Sequence, residues 1–93
     1  MSVEFLDATL GVALAALILS GAFAMIRLLR GPSLLDRVVA LDVLAVVAVG
    51  LIAVAAIQTD QPALIDVALA LALVAFLGTV AFARFLEQEN RRE

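Results

Sequence analysis

Hydrophobic positions along this chain fall into three long runs, cut by two short polar segments. Ala8 to Ile26 holds no charge in nineteen residues. At about 1.5 Å per residue that is roughly 28 Å of helix, close to the thickness of a hydrocarbon core. The second charge-free run, Val43 to Ile57, has only fifteen residues. It reaches about 22 Å, too short to cross. A full span must therefore begin near Val38, which puts Asp42 about one turn inside the apolar layer. The third helix is expected from about Ala63 to about Leu86, with its apolar stretch ending at Ala83. The pattern predicts an all-α membrane protein, one three-helix transmembrane domain over residues 1–93. Its spans lie at about 8–26, 38–57 and 63–83, with a loop over 27–37.

The segments between the runs carry helix-end chemistry. Gly31-Pro32 is expected to close one helix and open the next, because proline loses no donor in a first helical turn. Ser33 and Asp36 have the spacing of a capping box, with Arg37 beside them as a possible ion-pair partner. Gln58 to Pro62 reads as a short polar turn, with Pro62 suited to a first helical position. Met1 to Asp7 reads as an acidic lead-in. Glu4 and Asp7 stand where a cleaved signal peptide needs basic residues, so the first run is expected to remain a span. Glu87 to Glu93 is expected to be a frayed, solvated end.

Helical periodicity then sorts faces. In the first helix Thr9, Ala13, Ala16, Ser20 and Ala24 share one side, either a face for close helix approach or a stripe that an alanine-rich helix shows by chance. In the second, Asp42 lies with Ala45, Val49, Ala53 and Ala56, opposite Leu44 and Leu51. The carboxylate on the small face is expected to meet protein rather than lipid. In the third, Ala68, Ala72, Ala75, Thr79 and Ala83 form the narrowest small-residue stripe, a predicted helix-packing seam. Asp66 falls on the other side, among Leu69, Ala70, Leu73 and Leu77, a face expected to be covered by a neighbouring subunit.

Composition narrows the classes. The chain is 66% apolar and 16% charged over 93 residues, more apolar surface than a soluble domain of this size can hide. Cysteine and histidine are both absent, which excludes disulfides, thiol chemistry and imidazole sites. The net charge of −3, with no basic patch interleaved with aromatics, argues against nucleic acid. There is no tryptophan or tyrosine, so charged residues must anchor the spans at the interface. The basic residues are Arg27, Arg30 and Arg37 in the first loop and Arg84, Arg91 and Arg92 at the end. By the positive-inside bias the N-terminus is outside and the C-terminus cytoplasmic.

No phosphate loop, metal-ligand spacing or activated nucleophile is present, so no enzyme, catalytic residue, metal or cofactor is expected. The candidate chemistry rests on Asp42 and Asp66, since ionisable residues within spans often mark ion or proton paths. Asp66 also has a helix-dipole reading and Asp36 a capping one. Asp42 lies too deep for capping. It is expected to serve as a polar intersubunit or ion-path group, or else to form a buried structural ion pair with a loop arginine.

Arg30-Gly31-Pro32 followed by Asp36-Arg37-Val38-Val39-Ala40-Leu41-Asp42 resembles the signature segment of the F subunit of Mrp-type multisubunit sodium/proton antiporters. The run from Asp66 to Arg84 is similar to that family's third helix. The resemblance implies a small integral subunit of a bacterial plasma-membrane complex that exchanges cytoplasmic sodium for external protons. It implies larger partner subunits, related to the proton-pumping subunits of respiratory complex I, that carry the main proton channels. Two other classes stay open beside it. One is a holin-like self-associating pore. The other is a proton-translocating ring subunit, which typically needs two helices and an acid near mid-membrane.

Overall fold

The computed structural model describes residues 3–92, with side chains described over 3–89. It contains α1 (Val3–Arg30), α2 (Leu34–Thr59) and α3 (Ala63–Arg92). All three helices are long and apolar enough to cross a membrane. At about 1.5 Å per residue each is longer than a hydrocarbon core. The excess turns carry charge, at Glu4, Asp7, Arg27 and Arg30 in α1, Asp36 and Arg37 in α2, and Arg84, Glu87 and Glu89 in α3.

The first turn is built by close approach. Gly31 N–H donates to Arg27 O at 2.7 Å, which closes α1. A Cβ on Gly31 would lie 2.8 Å from that same carbonyl and 3.1 Å from the Asp36 Cβ, so only glycine fits. Ser33, with extended backbone, is the N-cap of α2, and its hydroxyl accepts from the Asp36 N–H at 3.1 Å. Pro32 therefore stands before the cap rather than in the first helical turn, because Ser33 takes the capping role. The capping box is made in one direction only. Arg37 Nε donates to Gly31 O at 3.4 Å, tying the base of α2 back to the turn.

The second turn depends on Asp60, whose φ of 53° and ψ of 44° place it in the left-handed region. Aspartate tolerates that conformation better than most residues. The N–H groups of Asp60 and Gln61 both reach Ala56 O, satisfying a carbonyl that the helix end leaves open. Pro62 O accepts from Ile65 N–H at 3.0 Å as α3 begins.

These two turns lay the helices side by side and antiparallel. α1 and α3 flank α2 and make no direct contact among the described residues. The result is a thin layer of 59 × 27 × 18 Å. Leu17 of α1 fits against Gly50 of α2, and Gly21 of α1 lies against Val47. Leu10 and Ala24 are the buried residues of α1. Thr9, Ala16 and Ser20 are exposed instead, and Thr9 Oγ1 donates back to Phe5 O. Of the small-residue side of α1, Ala24 is buried and Ala13 half-buried, so this side only partly coincides with the packing face. The small residues of this seam sit partly on α2, where Gly50 makes room for a leucine. The expected frayed end is also revised, because α3 stays helical through Arg92. Glu87, Gln88 and Glu89 are strong helix formers and need no packing to extend it. The side chains of Arg91 and Arg92, used in the charge argument, lie outside the described residues.

Candidate functional site

The α2–α3 hairpin brings together residues equally far from the turn at 60–62. On α2 these are Asp42, Ala45 and Val49, and on α3 they are Thr79, Ala75 and Ala72. With Val46 and Phe76 they line a cleft of about 330 Å³. A second cleft of about 110 Å³ shares Asp42, Ala45, Ala75 and Thr79 and adds Val38, Leu41, Gly78 and Phe82. Farther along the same seam Ala56 and Ala68 are buried. Alanines on both helices let the backbones come close, and the space left between larger side chains forms the clefts.

A polar contact crosses this seam. Thr79 Oγ1 donates to Asp42 Oδ1 at 2.7 Å. The same hydroxyl lies 3.0 Å from Ala75 O, one turn earlier on its own helix. A threonine hydroxyl has one hydrogen, so it cannot serve both acceptors fully. With Asp42 ionised, the hydrogen goes to the carboxylate in a charge-assisted bond. With Asp42 protonated, the carboxyl can donate to the threonine oxygen, and the threonine hydrogen passes to Ala75 O. Together the two side chains carry three oxygens at this point of the seam. Among the described residues no group of three or more Asp and Glu side chains converges here.

The remaining candidates are spread out. Asp66 is exposed in the first turn of α3, and Leu69, Leu73 and Leu77 on its side are 64%, 61% and 58% exposed. Ser33, Asp36 and Arg37 gather at the α1–α2 turn, at the same end of the molecule as Asp42. Reading the sequence missed Thr79 as the partner of Asp42 and placed it only in a packing stripe. The signal that could have found it was the shortness of the second polar segment. A tight hairpin fixes which residues of α2 and α3 meet.

Three long apolar helices in a single antiparallel layer, with a carboxylate–hydroxyl pair in one seam, define a small multi-pass membrane protein. Residues 35–87 match the family described as multiple resistance and pH regulation protein F (MrpF / PhaF). The F component of the Na(+)/H(+) antiporter of Bacillus subtilis (strain 168) is 37% identical over 79 residues, covering 85% of this chain and 84% of its own length. The F1 component of the Na(+)/H(+) antiporter of Staphylococcus aureus (strain JH9) is 36% identical over 77 residues, covering 83% and 79%. The chain belongs to the MrpF/PhaF family and is a multi-pass bacterial membrane protein. The family match includes Asp36 to Asp42, Asp66 and Thr79, and begins after Arg30-Gly31-Pro32.

Proposed function

We propose that this chain is a side panel of a multisubunit sodium/proton antiporter, and that the Asp42–Thr79 pair lies beside the ion path. The 2.7 Å contact across the α2–α3 seam carries the reading. It is a hydrogen-bonded carboxylate on a helix face of otherwise apolar residues, where an ionisable group is costly without a use. A layer one helix thick cannot enclose a gated aqueous path, so the other walls belong to partner subunits. The exposed leucine face of α3, with Asp66 at its outer end, is one surface for such a partner. The holin-like and ring-type readings gain no support from the family relationship.

The chain sits with its N-terminus outside and its C-terminus in the cytoplasm. Charge asymmetry supports this. Arg27, Arg30, Arg37 and Arg84 lie at one end of the antiparallel layer, and the other end carries Glu4, Asp7, Asp60 and Asp66. Reconstitution tests both statements. The purified chain alone should show no sodium-driven proton movement. Vesicles containing the remaining subunits should recover exchange only when this chain is added, and a cysteine at position 60 should react only from outside. Exchange by the isolated chain, or labelling from the cytoplasm, refutes the corresponding part.

A further inference from the structure

A third cleft lies at the α1–α2 turn, away from the carboxylate seam. It has a volume of about 420 Å³ and is lined by Phe23, Ile26, Arg27, Arg30, Gly31, Pro32 and Asp36. Neither the Arg27 nor the Arg30 guanidinium has a partner among the described residues. Arg37 is engaged with Gly31 O and does not line this cleft. Two guanidiniums against one carboxylate leave it net positive.

We propose that this cleft holds the phosphate of an acidic phospholipid. Arg27 is the first charge after the uncharged run of α1, so it stands at the level where headgroup phosphates lie. Arg27 and Arg30 are three residues apart and share a helix face, so two donor forks can close on one phosphate. Phe23 and Ile26, 70% and 51% exposed, continue the same face one turn deeper into the apolar layer. They give an acyl chain a wall to lie against, which a free phosphate cannot use. Both arginines also complement the negative end of the α1 dipole, and that role leaves their donors open outward. Basic clefts at the membrane surface select acidic headgroups over zwitterionic ones by the same charge argument.

Native mass spectrometry of the purified full chain with phosphatidylglycerol or phosphatidylcholine reads this directly. Phosphatidylglycerol should be retained about fivefold or more over phosphatidylcholine. Arg27→Gln combined with Arg30→Gln should abolish the preference, and Arg84→Gln should preserve it. Inorganic phosphate should not displace the lipid. Equal retention of the two lipids, displacement by phosphate, or an equal loss in Arg84→Gln overturns the proposal. If the double variant loses its helical circular dichroism, Arg27→Lys with Arg30→Lys replaces it. That variant keeps the charge without the planar fork and should weaken retention about twofold, and unchanged retention counts against the site. In the assembled complex, co-purified phosphatidylglycerol should fall in the glutamine variant. No difference there assigns the cleft to a neighbouring protein chain instead and overturns the lipid reading.

Discussion

The two seams of this molecule are built from similar residues and do different things. Between α1 and α2 the fit is filled, with Leu17 seated on Gly50 and Val47 against Gly21. Between α2 and α3 alanines bring the helices together but leave two clefts, and the one contact of note is polar. Small residues serve opposite ends in the two places. A glycine opposite a leucine is a socket and gains dispersion contacts that lipid cannot match. A row of alanines facing alanines is a thin wall, and it lets a carboxylate and a hydroxyl meet across it. The first seam is filled, and the second holds a carboxylate and a hydroxyl beside open clefts.

If that division is right, damage to the two seams should separate stability from transport. The largest effect is expected at the filled seam. A Cβ at Gly50 would lie 2.9 Å from Leu17 Cδ2 and 3.3 Å from Cδ1. Alanine can be absorbed by moving the end of a flexible side chain, and isoleucine cannot. Gly50→Ile should destabilise the chain by about 2–3 kcal/mol, read as an early thermal loss of helical circular dichroism in detergent and a lower yield of assembled complex. Exchange per assembled complex should stay near normal. Full stability with lost exchange would show that the seams are not separable.

Asp42→Asn comes next and should invert that signature. It keeps the shape and a hydrogen-bonding head while removing the charge. Sodium/proton exchange in everted vesicles, normalised to assembled complex, should fall by about tenfold with thermal stability nearly unchanged. Asp36→Asn in parallel should leave exchange almost intact, because the N-cap contact at α2 is made by the Ser33 hydroxyl to a backbone N–H. Normal exchange by Asp42→Asn would make the carboxylate dispensable.

How much of this the sequence could show differs between the seams for a physical reason. The three helices were legible because charge-free stretches long enough to span lipid have few other outcomes. The Asp42 side of α2 and the Ala68–Ala72–Ala75–Thr79 stripe were drawn from small residues at helical spacing, and residues of both line the clefts between α2 and α3. The α1 seam could not be drawn from its own small residues. Its packing side carries Leu10, Leu14 and Leu17 as well as Gly21 and Ala24, and the holes that receive these residues are on the other helix. A stripe search on one helix cannot see complementarity between two. The Asp42–Thr79 contact was hidden for a related reason, since it depends on the register of the hairpin. That register is set by the left-handed residue Asp60 at the turn, not by any face of α2 or α3.

Thr79→Val tests whether the polar contact, rather than the carboxylate alone, matters to the open seam. Valine keeps the branched shape and loses the hydroxyl. Hydrogen bonds of this kind within membranes contribute about 0.6 kcal/mol on average and up to about 1.7. The expected result is a three- to fivefold fall in exchange, about 0.7–1 kcal/mol, with assembly unchanged. Thr79→Ser should restore most of it. An equal loss in serine and valine variants would point to packing of the methyl group, and the hydroxyl would then have no separate role.

The smallest expected effects come from one substitution made at both seams, and they discriminate because they are small. Gly50→Ala asks Leu17 to shift by a few tenths of an ångström, while Gly78→Ala meets nothing within 4 Å. Alanine gains up to about 1 kcal/mol over glycine in a helix interior. At Gly50 the displaced leucine offsets that gain, so the isolated chain should change by less than about 0.5 kcal/mol. At Gly78 the gain should be kept, raising the thermal midpoint of the isolated chain slightly. The informative comparison is then between the isolated chain and the complex. Gly78 lines the smaller cleft beside Asp42. If a partner chain fills that cleft, a new methyl group should stabilise the isolated chain and weaken assembly in the same variant. Gly50 lies inside the layer against α1, so its alanine variant should behave alike in both settings. A Gly78→Ala chain that assembles as well as the parent would leave the cleft open to water. In that case no partner chain occupies the space beside Asp42.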